Sequence, residues 1–349
     1  MDKFQAHIIT PGSSIQQALK QLNGLSENLT LFVSGADKIL LGTLTDGDIR
    51  RGLLSGLTLN DTVDKTMHRK FRSIRRNALS AGILDEFRKD AIMLVPLLEE
   101  NGTIIKIINL KEKKSLLPLN AILMAGGKGE RLRPLTNDIP KPMLKIGTQP
   151  IIEHNIDRLN SFGIENIEIS LGYLGEKISD YFGDGNSKGI KIDYIREDEP
   201  MGTIGAIQYS QLQHGTGVLV MNADLLTDID LEDLYRSFVE KNADMIVASI
   251  PYKIEVPYGV LELEKDEIKG LREKPTYTHY SNAGIYIIGK KAMELIPKGK
   301  AFDATDLMEK VISLRMKLVN YPVLGYWMDI GKPDDYVRAQ EDIKHIRLK

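Results

Sequence analysis

A short apolar run that ends in paired glycines and continues into cations constrains the fold of this chain more than any other stretch. Residues 121–136 read AILMAGGKGERLRPLT. Apolar residues followed by Gly126 and Gly127 indicate a buried strand that leads into a tight turn. Glycine lets the backbone approach an anion closely because it has no Cβ, and Lys128 and Arg131 add positive charge. The stretch therefore predicts an α/β sheet with a phosphate-binding loop at the end of one strand.

This loop matches neither of the two common glycine-rich phosphate motifs. The P-loop pattern Gly-x-x-x-x-Gly-Lys-Ser/Thr does not occur in the chain. The dinucleotide fingerprint needs a third glycine to open a helix, and Leu132 stands at that position. On the glycines alone, an ordinary basic loop therefore remains an alternative.

Composition narrows the class of protein. A length of 349 residues favours two domains, and a net charge of −2 argues against nucleic acid as the main partner. The absence of cysteine excludes disulfides and thiol chemistry. The histidines form no His-Glu-x-x-His pattern, and no Gly-x-Ser-x-Gly motif occurs. Without an apolar leader or a run of 18 apolar residues, a cytoplasmic protein with no membrane partner is expected.

The loop and the residues after it closely resemble the signature of sugar-phosphate nucleotidyltransferases. Residues 126–136 are followed by 140–143 (PKPM), and further motifs of that family recur downstream. Its members join a nucleoside triphosphate to a sugar-1-phosphate and release pyrophosphate. The resemblance implies a Rossmann-like α/β domain with a mixed or parallel sheet over residues 119–349. It also implies that Arg131 and Lys141 grip the triphosphate.

The resemblance implies that the nucleotide is contacted by the strand before the glycine loop, by the loop itself and by the end of the strand at 218–221. These residues are Leu123, Ala125, Gly126, Gly127, Lys128 and Asn222. Residues 196–206 (REDEPMGTIGA) resemble the base-reading loop of the family. Glu197 and Glu199 could accept hydrogen bonds from guanine N1–H and N2–H₂, and Gly202 would leave room for the base. A solvated turn is the alternative for each acid.

Two aspartates are candidate metal ligands. The apolar residues 218–221 deliver Asp224 to the end of a strand, which is where ligands bind in open α/β sheets. Asp224 matches the Mg²⁺-binding aspartate of the family, with a helix N-cap as the alternative. Asp329, within residues 326–333 (YWMDIGKP), matches the second acid. The resemblance therefore implies that both hold Mg²⁺, which is bound in proteins by one or two carboxylates together with phosphate oxygens.

The sugar-side candidates lie between these two acids. Lys274, followed by a proline, would bind the phosphate of the sugar-1-phosphate. Gly259, Glu273 and Asn282 would line the sugar, and the last two would bond its hydroxyls. Asp306 is a further candidate, with helix capping as the alternative.

The first third of the chain, residues 1–116, contains an internal repeat. A shift of 64 positions aligns copies at about residues 1–60 and 61–116 and predicts helices at 15–22 and 79–87. Residues 42–51 (GTLTDGDIRR) resemble the second half of a CBS motif, so the pair resembles a tandem CBS, or Bateman, module. The resemblance implies that an adenosine nucleotide binds Thr45 and Asp48.

The second copy has Asn109 and Glu112 at the positions corresponding to Thr45 and Asp48, which leaves its site in doubt. The alternative for the whole module is a purely structural dimerisation arm, since a fold alone does not imply a ligand. In either case a homo-oligomer, a dimer or larger, is expected to form through it.

The tandem CBS repeats together with the second domain resemble guanylyltransferases of bacterial nonulosonate (legionaminic acid type) pathways, whose acceptor is glucosamine-1-phosphate. GTP is therefore the predicted donor, with direct in-line attack on the α-phosphorus. Alternatives are UTP, CTP or dTTP with another sugar-1-phosphate, or a nucleotide-sugar sensor without turnover.

Overall fold

A computed structural model describes residues 4–197, 199–212 and 215–346 of the chain. The chain divides into two compact units, Met1–Leu116 and Leu117–Lys349. The division falls between a strand that ends at Asn109 and a strand that begins at Asn120. Within the described residues, no helix is long and apolar enough to cross a membrane.

The first unit contains the same arrangement of strands twice. Its elements are β1 (Ile8–Ile9), α1 (Ile15–Asn23), β2 (Thr30–Ser34), β3 (Leu40–Thr45), α2 (Asp46–Leu54), β4 (Ile74–Arg75), α3 (Ile83–Lys89), β5 (Leu94–Leu98) and β6 (Ile104–Asn109). They form the sheets β1-β2-β3 and β4-β5-β6. In each sheet the first pair of strands is parallel and the second pair is antiparallel.

The two sheets are related by the same 64-residue shift that aligns the sequence. Thr30 pairs with Thr45 in the first sheet, and Leu94 pairs with Asn109 in the second. An isolated bridge joins Ile39 to Thr103, its own equivalent in the other copy. One apolar cluster takes residues from both copies, Phe32, Leu40, Leu94, Leu98 and Ile107. Each copy also has an apolar cluster of its own, around Leu31 in the first and around Val95 in the second, and the copies pack on each other through the mixed cluster.

The helix predicted from residue 79 begins four residues later, at Ile83. In the first copy, Ser14 and Gln17 form a capping box that starts α1. In the second copy the residue before the helix is Gly82, which has a φ of +79° and no side chain to cap with. A right-handed helix cannot pass through a left-handed residue, so α3 starts only after it.

The second unit is an α/β domain built on one seven-stranded sheet. Its strands are β7 (Asn120–Ala125), β8 (Lys145–Ile146), β9 (Gln149–Pro150), β10 (Asn166–Leu171), β11 (Lys191–Arg196), β12 (Gly217–Asn222), β13 (Leu225–Thr227), β14 (Met245–Glu255), β15 (Val260–Glu264), β16 (Glu267–Arg272), β17 (Thr276–Gly289), β18 (Leu318–Pro322) and β19 (Trp327–Asp329). Its helices are α4 (Ile151–Ser161), α5 (Glu176–Phe182), α6 (Leu231–Glu240), α7 (Lys290–Met293), α8 (Ala304–Ser313) and α9 (Pro333–Asp342).

The order of the main sheet is β11-β10-β7-β12-β17-β14-β18. Strands β7, β10, β11 and β12 are parallel, and β17 is antiparallel to both of its neighbours. The mixed α/β sheet predicted from the sequence is confirmed. The strand β7 lies inside the parallel part of the sheet. Because a strand there is covered on both faces, neither face needs polar residues, which explains its uninterrupted apolar run.

One part of the second unit extends away from its core. The strands β14 and β17 pair well beyond the main sheet and lead into the hairpin β15–β16. Leu261, Leu263, Ile268 and Leu271 lie on one face of this hairpin and are exposed. We call residues 250–281 the arm.

Candidate active site

The glycine loop at the end of β7 is packed too closely for side chains. A Cβ added to Gly172, just after β10, would lie 2.5 Å from the Gly126 carbonyl oxygen. Gly129 has a φ of +60°, and its added Cβ would lie 2.9 Å from Cβ of Lys141. The buried Thr136 hydroxyl donates to the Gly129 carbonyl at 2.8 Å. The glycines therefore let the loop lie directly on neighbouring backbone and on Lys141.

Lys141 is held by two prolines and points at two carboxylates. It begins a short 3₁₀ turn, Lys141–Met143, and its neighbours Pro140 and Pro142 restrict the backbone there. The residue is only 8% exposed. Its Nζ lies 2.5 Å from Oδ2 of Asp224 and 3.2 Å from Oδ1 of Asp329. The three charged groups therefore converge beside the glycine loop.

Strand pairing explains why two aspartates so far apart in sequence meet. Strands β13 and β19 are antiparallel, with Leu225 opposite Asp329, which brings Asp329 beside Asp224. The Trp327 indole N–H donates to the Ala283 carbonyl at 2.9 Å and ties β19 to β17. The two predicted metal ligands are thus fixed by backbone pairing rather than by a flexible loop.

The electrostatics of Asp224 fit a bound cation. Burial raises the pKa of its carboxyl above the ordinary value; Lys141 opposes this shift, and the like charge of Asp329 adds to it. Its Oδ1 is buried and has no hydrogen-bond partner among the described residues. No cluster of three or more acidic or histidine ligands occurs in the described parts of the chain. Two carboxylates with an unsatisfied oxygen suit Mg²⁺, because it keeps sites for water and phosphate.

Arg131 and Lys128 lie on the open side of the same loop. Both side chains are exposed, as is Gly127. A Cβ on Gly331 would lie 3.4 Å from Nη2 of Arg131, so the guanidinium lies beside the backbone that follows Asp329. Leu123 and Ala125 are buried within β7, so their backbone rather than their side chains borders the loop.

Glu197 is the better placed of the two predicted base readers. The Ser170 hydroxyl donates to its Oε1, and the Met201 N–H donates to its Oε2 at 3.0 Å. A Cβ on Gly126 would lie 2.7 Å from that Oε1. Glu199 is exposed, and both acids line a cavity of about 660 Å³. The Glu197 carboxylate is therefore fixed between the glycine loop and the base-reading loop.

Gly202 is required by packing against a segment outside the base-reading loop. It has a φ of +74°, and an added Cβ would lie 2.8 Å from both the Phe302 carbonyl and Oδ1 of Asp303. Asp306 accepts from the Asp303 N–H at 3.0 Å as part of the capping box of α8. These contacts account for both residues structurally, and their roles toward base and sugar stay predictions.

Asn222 ends β12, two residues before Asp224, and Asn282 lies within β17. An added Cβ on Gly284, whose φ is +71°, would lie 2.6 Å from Nδ2 of Asn222. The Asn282 amide donates to the Tyr286 hydroxyl at 2.7 Å and accepts from the Gly284 N–H at 2.9 Å. Asn222 thus lies at the strand end that leads to Asp224, and Asn282 lies on the neighbouring strand.

The remaining sugar-side candidates lie on the arm. Gly259, Glu273 and Lys274 are exposed, and an added Cβ on Gly259 would lie 3.2 Å from Oε2 of Glu273. Lys274 has a φ of +44°, which a side chain rarely adopts. Within the described ranges, no hydrogen bond or ion pair joins these three to Asp224 or Asp329.

Sequence reasoning missed Ser170, Thr136 and Gly172. Ser170 is fully buried in the apolar strand β10, and Thr136 is fully buried behind the loop. A buried hydroxyl needs a partner, so a serine near the end of an apolar strand could have pointed to a polar group there. The position of Gly172 gave no such signal, because close backbone contact leaves no pattern in the sequence.

In the first unit, Thr45 borders a cavity and Asp48 caps a helix. The cavity, of about 670 Å³, is also lined by Thr43, His68, Lys70 and Arg72. Asp48 Oδ2 accepts from the Thr45 N–H at 2.9 Å and from its hydroxyl at 2.6 Å. Its Oδ1 accepts from Arg51. The nucleotide-binding roles of Thr45 and Asp48 stay predictions.

The glycine loop, Lys141 and the two aspartates lie together beside β7 of the α/β domain. The model of the nucleotidyl transferase family matches residues 120–346. The chain therefore belongs to the nucleotidyl transferase family, and it is a nucleotidyltransferase.

Individual relatives differ in their named substrates. The D-glycero-alpha-D-manno-heptose 1-phosphate guanylyltransferase of Aneurinibacillus thermoaerophilus is 33% identical over 230 residues, which cover 65% of this chain and 99% of the relative. The UTP–glucose-1-phosphate uridylyltransferase of Synechocystis sp. is 29% identical over 256 residues, 66% of this chain and 66% of the relative. The crystal structure of HddC from Yersinia pseudotuberculosis, complexed with GMP-PN, matches with 28% identity and a TM-score of 0.50, covering 64% of this chain and 99% of that chain.

Proposed function

We propose that this enzyme transfers a guanylyl group from GTP to a sugar-1-phosphate and releases pyrophosphate. The observation that carries the proposal is the convergence of Lys141, Asp224 and Asp329 beside the glycine loop. One cation and two carboxylates at the end of a parallel strand match what phosphoryl chemistry needs, which is positioning and charge neutralisation.

The metal of this site is proposed to be Mg²⁺, held by Asp224 and Asp329. When bound, it would polarise the α-phosphate as a Lewis acid. Arg131 and Lys141 would contact the β- and γ-phosphates and stabilise the departing pyrophosphate. Lys274 would orient the sugar phosphate, whose oxygen is already ionised at neutral pH and attacks the α-phosphorus directly. No residue of the chain needs to act as a general base.

The choice of GTP rests on Glu197. Its two carboxylate oxygens can accept from guanine N1–H and N2–H₂, and a pyrimidine offers no equivalent pair of donors. The hydrogen bonds from Ser170 and Met201 N–H hold this acceptor in place before the base arrives. The guanylyltransferase relative and the nucleotide named with HddC support GTP, whereas the uridylyltransferase relative favours UTP as the competing donor.

The acceptor proposed for the first trial is glucosamine-1-phosphate. It follows from the resemblance of the whole chain to nonulosonate-type guanylyltransferases. Gly259, Glu273 and Lys274 lie on the arm, and Asn282 lies at its base. The sugar site would therefore form where the arm meets the metal candidates.

A panel of nucleoside triphosphates against several sugar-1-phosphates tests the proposal. Pyrophosphate release should require both substrates and Mg²⁺, and GTP should give the highest kcat/KM. A pyrimidine triphosphate as the best donor would contradict the assignment of the base, and release without any acceptor would contradict the transfer itself.

A second function is proposed for the first unit: binding of an adenosine nucleotide at the cavity that Thr45 borders. The cations Lys70 and Arg72 in its lining support an anionic ligand, which would compete with Asp90 of the same lining for Arg72. Titration calorimetry with AMP, ADP and ATP, followed by sizing with and without the best binder, tests it. If none of the three gives heat, the unit is instead a structural arm for a homo-oligomer.

A further inference from the structure

We infer that Lys141 takes the place of the divalent cation between Asp224 and Asp329 in the nucleotide-free enzyme. Metal and nucleotide binding are then coupled, because the lysine leaves the carboxylates for the triphosphate as the metal enters. This inference rests on the proposed function and concerns the order in which its ligands bind.

The geometry makes the lysine and a metal ion mutually exclusive. The ammonium lies 2.5 Å from Asp224 Oδ2 and 3.2 Å from Asp329 Oδ1. A Mg²⁺ ion bound by the same two oxygens at about 2.1 Å from each would overlap that ammonium. The two cations therefore compete for one position.

A second lysine in the same unit bridges two carboxylates whose oxygens are all hydrogen-bonded. Lys188 Nζ lies 2.6 Å from Glu153 Oε1 and 2.7 Å from Asp157 Oδ1. The other two carboxylate oxygens also accept hydrogen bonds, from the Tyr181 hydroxyl at 2.8 Å and from the Gln149 amide at 3.2 Å. Every oxygen of that pair has a donor, so the network is closed.

In the bridge at Lys141, by contrast, one carboxylate oxygen lacks a hydrogen-bond donor in the described parts of the chain. Asp224 Oδ1 is buried and has no donor among the described residues, although an unpaired buried acceptor is costly. The ammonium bonds only one oxygen of each carboxylate and leaves this one without a donor. The site is therefore only partly satisfied by its lysine.

The lysine also has an alternative partner within reach. Its backbone is fixed between two prolines, but its four-carbon stem can move the ammonium without moving the chain. The glycine loop packs on its Cβ, so phosphates held by that loop would lie near the same stem. An ammonium that the metal displaces is exposed until another anion pairs with it, and the triphosphate supplies that anion.

The direct test is the affinity of the nucleotide-free protein for Mn²⁺, measured by electron paramagnetic resonance. Lys141→Met removes the competing charge and keeps the bulk of the side chain, and Mn²⁺ should bind it at least about tenfold more tightly than wild type. Lys65→Met is the control, because it removes a lysine that pairs with a single carboxylate, Asp61, in the first unit, and it should leave Mn²⁺ binding unchanged. Equal or weaker Mn²⁺ binding by Lys141→Met would overturn the inference.

A second measurement uses the wild-type protein and does not depend on the folding of a variant. Acetylation of lysines, followed by mass spectrometry, reports how accessible each ammonium is. Saturating Mg²⁺ should increase the labelling of Lys141 several-fold and leave Lys188 unchanged. Unchanged labelling of Lys141 at a Mg²⁺ concentration that fills the site would overturn the inference. Neither measurement uses turnover, so the pyrophosphate assay judges the proposed function separately.

Discussion

The Glu197 carboxylate lies against the backbone of Gly126, where a methyl group added to that glycine would stand 2.7 Å from Oε1. The first glycine of the loop therefore makes room for Glu197, the predicted base reader. Gly126→Ala should displace Glu197 and raise KM for GTP about tenfold, since crowding of this kind costs about 1–3 kcal/mol.

Gly127→Ala is the control for that prediction. No atom of the described protein lies within 4 Å of a Cβ added there, so Glu197 should keep its position and the preference for GTP over UTP should be retained. If both variants lose GTP affinity equally, a side chain at either position of the loop weakens binding. The contact between Gly126 and Glu197 would then not be what determines the affinity.

The buried Ser170 hydroxyl should position Glu197. Ser170→Ala removes one donor to the carboxylate, and one hydrogen bond contributes about 0.5–1.5 kcal/mol. We expect KM for GTP to rise several-fold with kcat little changed, and the preference for GTP over UTP to narrow. Ser249→Ala, which removes a buried hydroxyl bonded to Asn320 in the same sheet, should change neither parameter.

Asp224→Asn and Asp329→Asn should each abolish transfer, with a loss on the order of 10³-fold in kcat or more, because metal stabilisation of the transition state amounts to several kcal/mol. The thermal melt should change little, since each variant keeps the shape of the side chain. Asp85→Asn, at an exposed pair with Arg88 in the first unit, is the control. Near-normal turnover by either active-site variant with Mg²⁺ present would contradict the metal assignment.

The ion pairs of Lys188 should contribute to the free energy of unfolding, and this contribution should depend on pH in the alkaline range. Burial lowers its pKa, but hydrogen bonds to Asp157 and Glu153 outweigh that effect, so the pKa lies above the ordinary value. A raised pKa stabilises the folded state below the unfolded value, near 10.4, and this contribution is lost as the pH rises through the folded value.

Lys188→Met should therefore unfold at a lower temperature than wild type at pH 7 to 9, by an amount that corresponds to about 2 kcal/mol for this partly exposed bridge. The difference between the two melts should shrink above pH 10. A difference that stays constant up to pH 11 would mean that the loss comes from packing rather than from the ion pairs.

Much of the site could be predicted because its residues follow apolar strands. The runs that become β7 and β12 are buried on both faces, and whatever follows them must lie at the edge of the sheet. That reasoning located the glycine loop, Asn222 and Asp224 in advance. It also predicted the mixed α/β sheet, because the alternation of strands and helices is visible in the sequence.

Other parts depend on contacts that leave little trace in the sequence. The strand β19 has three residues, Trp327–Asp329, too few for a periodic pattern, so its pairing with β13 could not be derived. Gly202 packs against Phe302, and Asp306 belongs to a capping box, which was the alternative for it; their roles toward base and sugar stay predictions. The late start of α3 depends on the conformation of Gly82, which propensity alone does not fix.

The measurement that tests the central claim most directly is a competition for one acceptor. Equimolar GTP, UTP, CTP, dTTP and ATP are mixed with glucosamine-1-phosphate, Mg²⁺ and the enzyme, and the nucleotide-sugars are identified by mass spectrometry. If the proposed function is correct, a GDP-sugar is the dominant product. It forms only when the acceptor is present, and it does not form with Asp224→Asn. A UDP-, CDP-, dTDP- or ADP-sugar as the main product would contradict the proposed function.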